Sequence, residues 1–221
     1  MTYAWGFEYL WEFRYILLIG VGISVGYCVL TLLLGLILGL FCGLSLLSKH
    51  RILLFPVRSY VEIFRCTPLM VQLIWMYYAL PVIVGVNIPA WLAGGLALTC
   101  YGSAFFTEIF RGGVQSIDFG QWDAGRALGM TPSQLMRRII LPQAVKRMIP
   151  PFINQGVLNL KNTSLLYVIA VGDLLYQGSV ITAATYRPLE VYTTIGVIYF
   201  IILYPATVLA QRWEVKLAVN K

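Results

Sequence analysis

Residues 15–47 contain no Asp, Glu, Lys or Arg. About 20 apolar residues in a helix cross the hydrocarbon core of a bilayer, so this run spans it with length to spare and is tilted or extends past one face. The rest of the chain has the same character. Of its 221 residues 59% are hydrophobic and only 11% are charged, against roughly 25% charged in a soluble domain. The class is therefore all-α integral membrane protein. Within the first span Gly22, Gly26, Gly35, Gly39 and Gly43 make a flat strip for close packing, ordinarily against another helix of the same chain and alternatively against a second subunit. Ahead of it, residues 1–13 hold Tyr3, Trp5, Phe7, Tyr9, Trp11 and Phe13, rings that favour the headgroup level of a membrane surface. The first apolar run is too long for a cleavable signal and lacks a basic leader.

Four further spans are expected at about 67–84, 91–111, 151–175 and 190–211. Pro68 opens the second, and residues 177–188 read as an outer loop. The cations fall on one side of this scheme. Lys49, Arg51, Arg58, Arg65, Arg111, Arg126, Arg137, Arg138, Lys146, Arg147, Arg212, Lys216 and Lys221 gather at one face, and only Arg14 and Arg187 at the other. By the positive-inside rule the amino terminus is outside and the carboxyl terminus cytoplasmic, the parity that five spans require. The formal charge of +7 is then a matter of sidedness, not of affinity for nucleic acid. Cys28, Cys42, Cys66 and Cys100 have no metal-ligand spacing and read as small apolar fillers. His50, the one histidine, reads as a solvated loop residue.

The polar exception is QWDAGRALGMTPSQLMRRIILP, residues 121–142. Residues 121–128 suit a short helix with Asp123 in its first turn, and Gly129 is placed to end it in a left-handed cap. Thr131 caps a second helix, Pro132 fits its first position, and Pro142 falls where that helix must stop. Ala124, Gly125 and Ala127 are small, so the first helix can approach another protein closely. A second anomaly is the fourth span, opened by Pro150-Pro151, where Gln155, Asn159, Asn162 and Thr163 share one helical face. That face must meet water, protein or a solute.

Asp123-Ala124-Gly125, then Gly129, then Ile139-Ile140-Leu141-Pro142 resembles the EAA loop of ABC importer permeases, with Asp for Glu and Gly for the second Ala. Phe64-Arg65-Cys66-Thr67-Pro68-Leu69 with Val71-Gln72 is similar to the FRxTPLxVQ run of the polar amino acid permeases, and Lys161-Asn162-Thr163-Ser164-Leu165 to their K(N/D)TSL segment. All three occur in the family's order, and the resemblance covers almost the whole chain. It implies a type I importer permease, a single transmembrane domain over residues 1–221 in a bacterial inner membrane. The partners it implies are a second permease chain, identical or related, two cytoplasmic ATPase subunits carrying ATP and Mg, and an extracytoplasmic amino acid binding protein. No cofactor is expected on this chain, which has no Gly-x-x-x-x-Gly-Lys-Ser/Thr cradle for phosphates. Coupling to the ATPase is expected at Asp123, Ala124, Gly125, Ala127, Leu128 and Gly129.

Ionisable groups at membrane depth cost roughly 2.5–3.5 kcal/mol each on insertion scales, and a zwitterionic amino acid needs partners of both signs. The candidates for substrate contact are Glu62, Arg65, Gln72, Lys161, Asn162, Thr163 and Ser164, around a cavity that the resemblance implies. Bland readings stand beside them. Arg65 serves equally as an interfacial anchor, Lys161 as the structural partner of Glu108 or Glu62, and Gln72 as a helix-to-helix hydrogen bond. Asp173 and Glu190 read as solvated carboxylates of the outer face. Lys161 and Arg65 favour an acidic or neutral polar substrate, while Glu62 and Glu108 leave a basic one open. A secondary carrier and a non-transporting scaffold are the competing functions; the first would show inverted repeats, which are not evident, and the second has no use for a polar fourth span.

Overall fold

In a computed structural model the described residues, 5–47 and 51–219, are overwhelmingly helical. The expectations for Tyr3, Lys49, His50 and Lys221, and for the side chains of Arg51 and Lys216, fall outside what is described. A short α1 (Glu8–Glu12) leads into α2 (Arg14–Leu46), whose buried positions include Gly20, Ser24, Cys28, Thr31, Gly35, Gly39 and Gly43. Gly35, Gly39 and Gly43 let α5 (Ala90–Gln115) lie close against α2, while Gly20 and Ser24 meet Leu174 and Cys28 and Thr31 meet Asn159. At Gly39 an added Cβ would stand 2.6 Å from Phe106 Cβ and 2.9 Å from the Ser103 carbonyl oxygen, so only glycine fits. The glycine strip therefore divides. Gly35, Gly39 and Gly43 pack within the chain, while a Cβ on Gly22 or Gly26 would meet nothing within 4 Å.

Helix α3 (Arg51–Cys66) is fixed to α5 by the Tyr60 hydroxyl, which donates to the Cys100 carbonyl at 2.9 Å and also meets the Ser103 hydroxyl. It turns through 110° into α4 (Leu69–Val84). Pro68, extended at ψ 134, is the N-cap of α4, where the sequence placed the opening of the second span. Beyond α5 come α6 (Phe119–Ala127), α7 (Pro132–Ile169), α8 (Leu174–Thr185) and α9 (Pro188–Val219).

Proline positions account for most departures from expectation. Pro142 does not end a helix. A π-turn, Met136–Ile140, precedes it, and α7 continues through Leu141–Asn162 to a final 3-10 stretch, Thr163–Ile169. Pro81 follows the π-turn Trp75–Ala79 within α4 in the same way. A proline has no N–H and its ring crowds the carbonyl four residues back, and a widened turn immediately ahead displaces that carbonyl. Pro150 and Pro151, expected to open the fourth span, lie inside the same helix. The expected outer loop at 177–188 is mostly α8, which follows α7 after a 48° bend.

Among the described residues two helices, Arg14–Leu46 and Pro188–Trp213, are long and apolar enough to cross a membrane, and up to four candidate spans exist if each bent pair counts as one. Helix α5, expected as the third span, is long enough, but it is diluted by the Gly, Ser and Thr residues that pack it, among them Gly94, Gly102, Ser103 and Thr107.

Candidate functional site

The corner between α5 and α7 is built from local chemistry. Asp118 is the N-cap of α6, its Oδ1 accepting from the Gly120 N–H at 2.7 Å, so the helix begins at Phe119 and Asp123 stands in its middle, not in its first turn. Asp123 instead faces Arg126 in an exposed pair at 3.3 Å. Leu128 is the C-cap, and Gly129 adopts φ +72 as expected. The Met130 N–H reaches the Gly125 carbonyl (3.1 Å) and the Gly129 N–H that of Arg126 (3.0 Å), the paired bonds of a Schellman ending. Thr131 and Gln134 then form a capping box around Pro132.

Gly125 is buried on Leu135, whereas Asp123, Ala124, Ala127, Leu128 and Gly129 are exposed. Phe119 and Leu128 expose 81% and 79% of their surface at the two ends of α6. Underneath, Val114, Ile117, Leu135, Ile140, Ala144 and Met148 form a core that seats the corner on α5 and α7. Arg147 of α7 donates to the Ser116 carbonyl at the end of α5. Neither Asp118 nor Arg147 was singled out from sequence, although Asp immediately before a helix is an N-cap signal.

The two other motif segments, almost a hundred residues apart, meet. Leu69 and Leu73 of α4 share a core with Leu166 and Ile169 at the end of α7, with Phe64 and Leu165 at its edge. Glu62 and Arg65 lie three residues apart on α3, both exposed. The Glu62 carboxylate accepts from the Cys66 thiol at 3.5 Å, and the Arg65 guanidinium lies 5.7 Å from the Phe105 ring centre. Gln72 is buried, and its amide nitrogen donates to the Phe64 carbonyl (2.9 Å), the Thr67 carbonyl (3.0 Å) and Thr67 Oγ1 (2.7 Å), fastening the α3–α4 bend. Its Oε1 is buried without a partner among the described residues.

Lys161 is exposed at the end of Leu141–Asn162, and no carboxylate pairs with it among the described residues. Glu108 is engaged by Arg111 instead, at 2.5–3.2 Å through two nitrogens. Thr163 is buried and donates to the Leu160 carbonyl, Ser164 donates to the Lys161 carbonyl, and the Asn162 amide nitrogen is buried without a partner among the described residues. The shared polar face of α7 meets protein: Asn159 donates to the Cys28 carbonyl (3.2 Å) and to Thr31 Oγ1 (2.9 Å) of α2.

Asp173 and Glu190, expected as solvated carboxylates, prove to be buried. Asp173 caps α8 by accepting the Leu175 and Tyr176 N–H groups, and Glu190 accepts from the Gly6 N–H and Arg187, each at 3.1 Å. Cys66 is exposed, so the filler reading fails there.

A family model described as "Binding-protein-dependent transport system inner membrane component" matches residues 35–216. Relatives include the "Probable glutamine ABC transporter permease protein GlnM" of Bacillus subtilis, 39% identical over 159 residues, 72% of this chain and 73% of the relative. The "Octopine transport system permease protein OccM" of Rhizobium meliloti is 36% identical over 201 residues, 86% of this chain and 81% of the relative. A solved structure of an amino acid ABC transporter with histidines is 34% identical with a TM-score of 0.91, covering 97% of this chain and 100% of the other.

Proposed function

This chain belongs to the family of binding-protein-dependent transport system inner membrane components, and from that membership we propose that it is the permease of a bacterial importer for a polar amino acid, acidic or neutral polar in preference to basic. It is a transport subunit, and ATP hydrolysis belongs to separate ABC subunits. The permease works paired with a second permease chain in the inner membrane, above two cytoplasmic ATPases that bind ATP and Mg, and it receives substrate from an extracytoplasmic binding protein. Five spans, with the amino terminus outside, place the 121–142 corner on the ATPase side. The observation that carries the reading is the continuity of α7, which begins at the corner and ends where the α4 segment and residues 163–169 share a core.

In this reading ATP-driven closure of the ATPases moves α6 through its exposed face, from Asp123 to Gly129, and biases the membrane helices between two arrangements. Lys161 or Arg65 receives the substrate carboxylate, and Glu62 meets its ammonium or pairs with one of those cations. Gln72, Asn162, Thr163 and Ser164 contribute the polar wall of the passage.

Uptake by the assembled complex in liposomes tests this directly. Lys161→Ala is expected to raise the half-saturating concentration for glutamine about tenfold, the equivalent of about 1.4 kcal/mol for a lost charged contact. A variant indistinguishable from wild type for glutamine, glutamate and arginine removes Lys161 from the passage. Uptake that persists without the ATPase identifies a secondary carrier, and loss of transport from substitutions across the 161–164 segment excludes a non-transporting scaffold.

A further inference from the structure

Between α1, α2 and α9 runs a groove of about 670 Å³. Its walls are apolar, with Leu17 and Val21 on α2 and Ile198 and Ile202 on α9, and Trp11 closes one end. Among the described residues Arg14 is the only ionisable side chain on the lining. Its guanidinium donates to the Trp11 carbonyl at 2.7 Å and lies 4.5 Å from the Tyr15 ring centre and 5.2 Å from that of Trp11. That hydrogen bond occupies one of five N–H donors, and among the described residues no carboxylate pairs with Arg14. The closing wall is held in place from α9. Glu190 accepts the Gly6 N–H, and Arg187 lies 4.8 Å from the Tyr9 ring centre.

The surroundings say what fits. The walls belong to α2 and α9, the two helices that by length and composition suit a bilayer by themselves. Trp5, Phe7, Tyr9, Trp11 and Tyr15 are all exposed at the Arg14 end, a concentration of rings that prefers the headgroup level. A single cation at that level, above a trough with apolar walls, has the polarity profile of a phospholipid: an anionic phosphate at one end and hydrocarbon beyond it. A soluble ligand would need polar partners along the trough, and among the described residues on α2 and α9 beyond Arg14 the lining offers only Thr194. We propose that this groove is a phospholipid site, with the phosphodiester on Arg14 and one acyl chain between α2 and α9.

The test uses the complete transporter in mild detergent. Native mass spectrometry is expected to find one more tightly held phospholipid per copy of this chain in wild type than in Arg14→Gln. Ile198→Trp, which fills the trough and leaves the cation, is expected to lose the same lipid. Phosphatidylglycerol added back to delipidated complex is expected to bind Arg14→Gln roughly fivefold more weakly than wild type, and diacylglycerol, which has no phosphate, is expected not to discriminate between them. Subunit stoichiometry reports whether each variant is assembled. Equal phospholipid retention by all three assembled forms overturns the proposal. So does a structure of the complex in which side chains of the second permease chain fill the trough.

Discussion

At the scale of single residues, the glycines separate by what surrounds them and not by their spacing. Gly39 and Gly26 both belong to the strip in α2, but one faces Phe106 and the Ser103 carbonyl and the other faces open space. Gly39→Ala is therefore expected to destabilise the purified complex by about 1–3 kcal/mol through overpacking, and Gly26→Ala to change little, read as midpoints of thermal unfolding in detergent. Equal midpoints would contradict the close contact of α2 with α5. The strip was legible because small residues at four-residue spacing are a local signal. Its division was not, since only the placement of α5 decides which glycines are covered. Glu190 and Asp173 teach the converse. A carboxylate near an expected loop reads as solvated, yet Glu190 satisfies a main-chain N–H of the amino-terminal segment and Asp173 caps a helix that the sequence reading took for loop.

Among the elements, those defined by caps were the most legible. Gly129, Thr131 and Pro132 act on neighbours within a few positions, and each performs the predicted job. Pro142 misled because proline reads as a helix terminator and Pro150-Pro151 because it reads as a helix opening, whereas a widened turn precedes Pro142 and all three lie within α7. The bend fastened by Gln72 was equally hidden, since a buried amide that folds back on its own preceding turn looks in sequence like any polar residue in a span. The corner gives an element-scale prediction. Asp118→Ala removes the cap of α6, worth about 1 kcal/mol, and Gly129→Val forces a β-branched residue to positive φ at a cost of at least 1–2 kcal/mol. Both variants are expected to insert and assemble while transporting less amino acid per ATP hydrolysed, with Gly129→Val the more severe. Unchanged stoichiometry in both would detach the corner from coupling.

For the whole molecule, sidedness is the expectation with most at stake, because it decides which partners can reach which surface. Asp123 and Tyr186 are both exposed and lie in segments that five spans put on opposite faces. In a chain with its four native cysteines replaced, Asp123→Cys is expected to react with a membrane-impermeant maleimide only in inverted vesicles and Tyr186→Cys only in right-side-out cells. Labelling of both from one face would break the five-span arrangement. The fold class was legible from the apolar run alone, and the meeting of the 64–72 and 161–165 segments was not, because no local pattern encodes a contact across that separation. The unbroken course of α7 has one more consequence. At 1.5 Å per residue its α-helical part, Leu141–Asn162, is about 33 Å long, so a slight tilt at the end nearer the corner becomes a larger displacement at the other. If the 121–142 corner is the coupling point proposed above, that lever arm converts a small movement of the ATPase into a larger one where the α4 segment and residues 163–169 share a core.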